Sequence, residues 1–336
     1  IPRSLANYGF TNIIGVPEQE VLSGDFPTVA SPNPEEPSAM AMAIEKAKET
    51  GAEVVMASDP DADRIGLVIR DNNGEYVLIN GNQIVMIFLN YLMTRNTELG
   101  TLTGNEYIVK TIVTTETIRT IAEAQHIKMY DCFTGFKWIA NVMRENEGKA
   151  RYLGGGEESY GFLAEDFVRD KDSVSAISLM AEIAAWAKDK GLNMTDMLID
   201  IYMKYGFSRE KGISLVRKGK SGAEEIIALM KQFRENPPKE IAGSPVVTVK
   251  DFQSLVETNV ATGETKKLDM PATSNVLQYY TADRTKVSVR PSGTEPKIKF
   301  YIEVHDTLAS ADEYKATEAR ADEKINRIAK EFGITK

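Results

Sequence analysis

The sequence is poor in the residues on which several chemistries depend. Its 336 residues include one cysteine and two histidines. With Cys132 alone, no intrachain disulfide can form, and a reducing compartment, the cytoplasm, is the simplest home. His126 falls between a predicted helix and a predicted strand, and His305 ends a strand. Both positions read as structural, which argues against a Ser-His-Asp hydrolase. No uninterrupted apolar run is long enough to span a bilayer, so no membrane partner is expected. An excess of basic charge is also missing: 40 Lys and Arg against 49 Asp and Glu leave a formal charge of -9. That balance disfavours nonspecific nucleic-acid binding and makes any anion site a local one. The chain opens "IPRSLANYGFTN" without methionine or a charged-then-apolar leader, so residue 1 is read as lying inside a longer natural chain.

What is present is globular. Apolar residues at 42% and charged residues at 26% match ordinary folded proteins, and the length suggests two or three domains. "FTNIIGVPEQ" reads as a short strand entering a loop. "EEPSAMAMAIEKAKETGA" is a helix closed by glycine, "EVVMAS" a buried strand, and "RIGLVIR" and "YVLI" the arms of a hairpin. A second α/β unit begins at "NGNQIVMIFLNYLMTR" and alternates helices with strands through Asp189. From about residue 208 the pattern becomes one helix, mainly strands, and a charged terminal helix. The expected class is therefore α/β: two mixed-sheet α/β domains, 1–79 and 80–207, followed by an α+β domain, 208–336.

Four stretches carry candidate chemistry. In "SDPDADRIG", Asp59, Asp61 and Asp63 alternate along what reads as extended chain at the carboxyl end of a strand, so their carboxylates can converge on one hard cation. An EF-hand is excluded, because Arg64 and Arg70 stand where its glycine and glutamate belong. Magnesium is the functional reading, and a solvated acidic turn the plain one. In "VSVRPSGTEPKIKFYIEV", Arg290, a turn of Ser292, Gly293 and Thr294, and Lys297 suit a phosphate; the alternative is an ordinary hairpin turn. "GGGEESYG" presents Glu157 and Ser159 from a glycine-rich turn, a carboxylate and a hydroxyl suited to sugar hydroxyls. It matches neither a nucleophile elbow nor a dinucleotide fingerprint. In "TGFK", Lys137 is either an anion contact or proton donor, or a surface lysine.

Taken together and in this order, "SDPDADRIG", "TGFKWI", "GGEESYGF…DFVRDKD" and "RPSGTEPKIKFY" resemble the α-D-phosphohexomutase family, the phosphoglucomutases and phosphomannomutases, over essentially the whole chain. The resemblance implies a four-domain enzyme whose active site draws one loop from each domain. It implies Asp59, Asp61 and Asp63 as magnesium ligands and Arg64 as a contact to the phosphorylated group. Lys137 would lie near the transferring groups, Glu157 and Ser159 would read the sugar, and Arg290, Ser292, Gly293 and Thr294 would hold the non-reacting phosphate. The implied substrate is a hexose phosphate, with glucose 1,6-bisphosphate as intermediate. "GEESYG" is similar to the glucose-handling branch; mannose and pentose phosphates are the alternatives. The family's Ser-His-Asn-Pro-like phosphoserine loop has no counterpart. "ASPNPEEP" imitates it without the histidine, in a stretch the family places in its second domain, so Ser31 is read as a decoy. The implied picture is a fragment lacking the first domain and inactive alone. Two other classes stay open: a non-catalytic sugar-phosphate-binding module, and a magnesium-dependent phosphatase with an Asp nucleophile, although Asp63 replaces the threonine of its usual pattern.

Overall fold

A computed structural model describes the chain except for Lys218, Thr294, Lys336 and the side chain of Lys220. It divides into two compact units, Ile1–Ile201 and Tyr202–Lys336.

The first unit opens with two short helices, α1 (Pro2–Asn7) and α2 (Pro17–Glu20), and a longer one, α3 (Pro37–Thr50). The segment Phe10–Val16, expected as a strand, forms none. Its apolar residues suit a strand, but a strand needs a neighbour for its backbone groups, and no described residue pairs with it. Strands β1 (Val54–Ser58), β2 (Ile65–Arg70) and β3 (Tyr76–Ile79) form an antiparallel sheet in that order. Met40, Ala47, Val55 and Val68 pack α3 against it.

The chain then enters α4 (Gly81–Leu99) through a reciprocal cap: the Gln83 N–H donates to Asn80 Oδ1 at 2.9 Å, and the Asn80 N–H donates to Gln83 Oε1 at 3.1 Å. Ile84 through Leu89 are all buried, as expected of a helix apolar on every side. The chain continues through β4 (Glu106–Thr111), α5 (Thr117–Ala124), β5 (Lys128–Cys132), α6 (Phe136–Asn146), β6 (Arg151–Gly156), β7 (Phe162–Ala164), α7 (Ser173–Asp189) and α8 (Met194–Tyr205), whose last four residues count with the second unit. The sheet order is β5-β4-β6-β7, with β4 parallel to both neighbours and β7 antiparallel to β6. Parallel β5 and β6 therefore deliver their carboxyl ends to the same edge, where ligands bind in open α/β sheets. Cys132 is buried in this core beside Tyr107, Phe136 and Ile139, and burial pushes its thiol pKa well up; the residue packs rather than reacts.

The second unit is built on an antiparallel sheet. It comprises β8 (Phe207–Val216), α9 (Gly219–Glu235), β9 (Glu240–Ile241), β10 (Ser244–Asp251), β11 (Val256–Asn259), β12 (Thr265–Lys267), β13 (Leu277–Thr281), β14 (Lys286–Pro291), β15 (Lys297–Asp306) and α10 (Tyr314–Glu331). The order is β12-β11-β10-β13-β14-β15-β8, with β9 paired to β10. Ile298, Phe300, Ile302 and Val304 alternate into the core as their spacing requires. Phe233 of α9, Phe300, and Phe332 just past α10 meet with ring centroids 5.6–6.0 Å apart. His305 places Nε2 3.1 Å from Glu303, which also pairs with the buried Lys286 at 2.8 Å. His305 is thus part of a structural polar cluster, as its position at a strand end suggested.

Candidate active site

The acidic loop connects β1 to β2, and it is a turn rather than extended chain. The Ala62 N–H donates to the Asp59 carbonyl at 3.1 Å, and Ala62 lies in the left-handed region at φ 58°. Asp59 Oδ1 accepts the N–H groups of Asp63 at 3.0 Å and Arg64 at 2.9 Å. The carboxylates do converge, but through this side-chain-stabilised turn and not through strand alternation. One oxygen from each of Asp59, Asp61 and Asp63 lies within 4.8 Å of the others. Asp59 is buried, Asp63 half-buried and Asp61 exposed. Burial raises the Asp59 carboxyl pKa even though the Arg64 and Asp63 N–H groups favour its ionised form, and the Asp63 charge raises it further. Arg64 Nε stands 3.5 Å from Asp59 and 3.6 Å from Asp63. Asp63 Oδ1 is shielded from solvent without a hydrogen-bond partner. An all-oxygen donor set with such an atom fits a hard divalent cation of the magnesium type.

The glycine-rich loop after β6 locks onto this turn. The Ile65 N–H donates to the Tyr160 carbonyl at 3.1 Å, Arg64 and Gly161 form an antiparallel bridge, and the Ser173 N–H donates to the Ala62 carbonyl at 2.9 Å. Glu157 is only 4% exposed, and its Oε1 accepts the Gly135 N–H at 2.7 Å. Gly135, at φ 105°, holds a backbone conformation that favours glycine and follows β5 just as Glu157 follows β6. Burial raises the Glu157 carboxyl pKa, opposed by the Gly135 hydrogen bond and then by the charge of Lys171. Ser159 is half-buried on the same loop. The neighbouring Glu158 faces the scaffold instead, accepting the Thr111 hydroxyl at 3.0 Å and the Thr114 hydroxyl at 3.4 Å. Lys137 is exposed on the first turn of α6, its Nζ 5.6 Å from the Trp138 ring centroid. The first unit therefore brings Asp59, Asp61, Asp63, Arg64, Glu157 and Ser159 into one connected pair of loops.

Two residues carry more of this geometry than their sequence context suggested. Lys171, within the quoted "DFVRDKD" but given no role there, puts Nζ 3.0 Å from Asp63 Oδ2. Gly81, at the start of α4, is covered so closely by the glycine-rich loop after β6 that a Cβ on it would lie 1.9 Å from the Glu158 carbonyl oxygen. Neither has a local signal beyond residue type, because both act across the fold.

In the second unit, β14 and β15 pair from Lys286–Glu303 to Pro291–Ile298, which sets Arg290 opposite Lys299 at the mouth of the turn. The Ser292 N–H donates to the Lys297 carbonyl at 2.7 Å, and the Glu295 N–H donates to Ser292 Oγ at 3.3 Å. Gly293 is exposed, while Arg290, Ser292 and Lys297 are half-buried. Thr294 lies outside the described residues. The turn thus gathers a guanidinium, a hydroxyl and an ammonium on one short hairpin, a composition suited to an oxyanion.

Comparison with known proteins gives one consistent result. Residues 1–74 match the model for phosphoglucomutase/phosphomannomutase alpha/beta/alpha domain II, residues 80–205 that for domain III, and residues 250–321 that for the C-terminal domain. A phosphoglucomutase of Staphylococcus haemolyticus is 34% identical over 305 residues, spanning 91% of this chain and 55% of the relative. One from Staphylococcus epidermidis is 35% identical over 302 residues, spanning 90% and 54%. The chain spans about half the length of the curated relatives it matches. Among solved structures, a phosphoglucomutase/phosphomannomutase family protein of Burkholderia thailandensis shares the fold at TM-score 0.58 and 19% identity, over 93% of this chain and 54% of that one. Parafusin, a Paramecium phosphoglucomutase, does so at TM-score 0.55 and 17% identity, over 85% and 48%.

Proposed function

Because the chain belongs to the phosphoglucomutase/phosphomannomutase family, the α-D-phosphohexomutases, we propose that it supplies the metal, sugar and phosphate loops of a phosphoglucomutase. The reaction interconverts glucose 1-phosphate and glucose 6-phosphate through a phosphoserine and glucose 1,6-bisphosphate. The observation that carries this reading is the locking of the Asp59–Asp63 turn to the Glu157–Gly161 loop through the Ile65 to Tyr160 hydrogen bond and the Arg64–Gly161 bridge. A merely solvated acidic turn has no need of that connection.

In this reading Asp59, Asp61 and Asp63 hold magnesium, which when bound offsets negative charge on the transferring phosphoryl group. Arg64, fixed by its backbone N–H on Asp59, directs its guanidinium to the same phosphoryl oxygens. Glu157 has one oxygen committed to the Gly135 N–H, and its other accepts a sugar hydroxyl, with Ser159 beside it as donor or acceptor. Lys137 attends the transferring groups. Arg290, Ser292, Gly293 and Thr294 hold the non-reacting phosphate. Catalysis comes from positioning and electrostatics, which is why rigid backbone anchors matter here. We further place domain boundaries near residues 79 and 207, and the reacting serine outside these 336 residues, since they carry no Ser-His-Asn-Pro-like loop.

The test is an assay of the folded chain with magnesium and glucose 1,6-bisphosphate beside the full-length product of its gene. The chain alone is expected to be inactive, and the full-length protein active and at least 100-fold impaired by Asp59→Asn, a loss on the scale of one transition-state contact. Turnover by the chain alone would place the nucleophile within it. A full-length protein preferring mannose or ribose 1-phosphate would move the assignment within the family, and intact activity in Asp59→Asn would sink the metal role.

A further inference from the structure

The acidic loop has a second cation beside Arg64. Lys171 reaches it from the segment between β7 and α7, and its backbone surroundings are fixed on the C-terminal side. The Asp172 N–H donates to the Phe162 carbonyl at 3.1 Å, Asp172 caps α7 through Val174 and Ser175 at 3.0 Å each, and the Ser173 N–H donates to the Ala62 carbonyl. The stem runs across Gly161, where a Cβ would come within 2.6 Å of Lys171 Cδ and 3.3 Å of Glu157 Oε2. The ammonium ends 3.0 Å from Asp63 Oδ2, with the lysine side chain 17% exposed. Lys171 therefore stands between a carboxylate of the metal loop and the carboxylate of the sugar loop, on a stem that can turn without moving the backbone.

We propose that Lys171 is a positioning residue that competes with the divalent cation for Asp63, and that cation binding releases its ammonium toward the Glu157 side of the site. This rests on the metal-loop reading above and deepens it. The physical argument is charge and valence. An ammonium and a divalent cation cannot both draw fully on the same carboxylate oxygens, and the cation repels the ammonium once it is seated among them. Gly161 gives the stem room to lie beside the sugar loop, and the Glu157 carboxylate, which flanks Gly161 and feels the Lys171 charge, is there to receive the ammonium. Coupling of this kind is reciprocal: whatever draws Lys171 to the sugar side also tightens the metal site. Loading of the cation and engagement of the sugar thus become linked through one side chain.

The test uses the 336-residue chain and manganese(II) alone, which suits oxygen ligands and whose free fraction is read by electron paramagnetic resonance. Lys171→Met keeps the stem and removes the charge, and is expected to bind the ion roughly tenfold more tightly than wild type, the scale of ordinary site-to-site coupling. Lys171→Gln must shift the same way, while Lys171→Arg, which keeps the charge, stays close to wild type. Folding is checked by circular dichroism. If the neutral variants bind equally or more weakly while wild type binds and Asp61→Asn does not, the competition is overturned and the metal loop stands. If wild type itself binds no manganese, both readings fall.

Discussion

Gly81→Ala asks whether the Glu157–Gly161 loop is held by close backbone contact with α4. At most helix starts the change is harmless, and where the backbone is compatible it stabilises by about 0.4–1 kcal/mol. Gly81 does not have a left-handed φ, so no backbone strain opposes alanine there. Space does. The new Cβ would lie 1.9 Å from Glu158 O, 2.7 Å from Glu158 C and 2.9 Å from Tyr160 N, all backbone atoms that cannot rotate away. The loop must retreat by roughly an ångström, an overpacking that costs about 1–3 kcal/mol. The retreat also strains two hydrogen bonds, Ile65 N–H to Tyr160 O at 3.1 Å and Glu157 N–H to Gly161 O at 2.9 Å. Each contributes about 1 kcal/mol. Set against the propensity gain, a net loss of about 2–4 kcal/mol remains, which for a unit of this size lowers Tm by roughly 4–16 °C. Differential scanning calorimetry of the chain reads this directly. An unchanged or raised midpoint would show that the loop yields freely, and the argument that Gly81 fixes the Glu157 loop would be wrong.

Glu106 offers a test by pH. Burial pushes its carboxyl pKa up, but the Thr103 N–H at 2.8 Å, the Thr103 hydroxyl at 2.9 Å and the Gly104 N–H at 3.0 Å outweigh burial and lower it. A lowered folded pKa gives stability that is present above the unfolded value of about 4.3 and lost as pH falls through the folded one. Glu106→Gln should therefore cost about 1–2 kcal/mol at neutral pH and progressively less in acid, as read from urea midpoints; a gap that does not narrow refutes it. Phe88, fully buried and stacked on Phe162 at 4.2 Å, anchors the helix beneath the Glu157–Gly161 loop. Phe88→Ala should cost about 3–5 kcal/mol in urea unfolding, and a loss below about 1 kcal/mol would mean that the site collapses around the gap.

Much of the architecture follows from local pattern. Asn80 and Gln83 at cap spacing start α4, Asp172 starts α7, and alternation from Ile298 to Val304 fixes which face of β15 is buried, because these signals act within a few residues. The candidate residues stand out by residue type and order, Asp59, Asp61, Asp63 and Glu157 in the first unit and Arg290 in the second. Local pattern misled in two places. Phe10–Val16 has strand composition but pairs with no described strand, and the Asp residues converge through a turn closed by the Asp59 side chain. Only the tertiary structure set Lys171 against Asp63, Gly135 against Glu157 and Gly81 beneath Glu158. These pairs are 108, 22 and 77 positions apart, and no periodicity encodes which strand ends share an edge. Sequence by itself determines which groups are available and which local elements carry them. The meeting of Gly135 with Glu157 depends on the parallel order of β5, β4 and β6, and that of Lys171 with Asp63 on a second sheet set against this one, non-local properties paid for by the whole core.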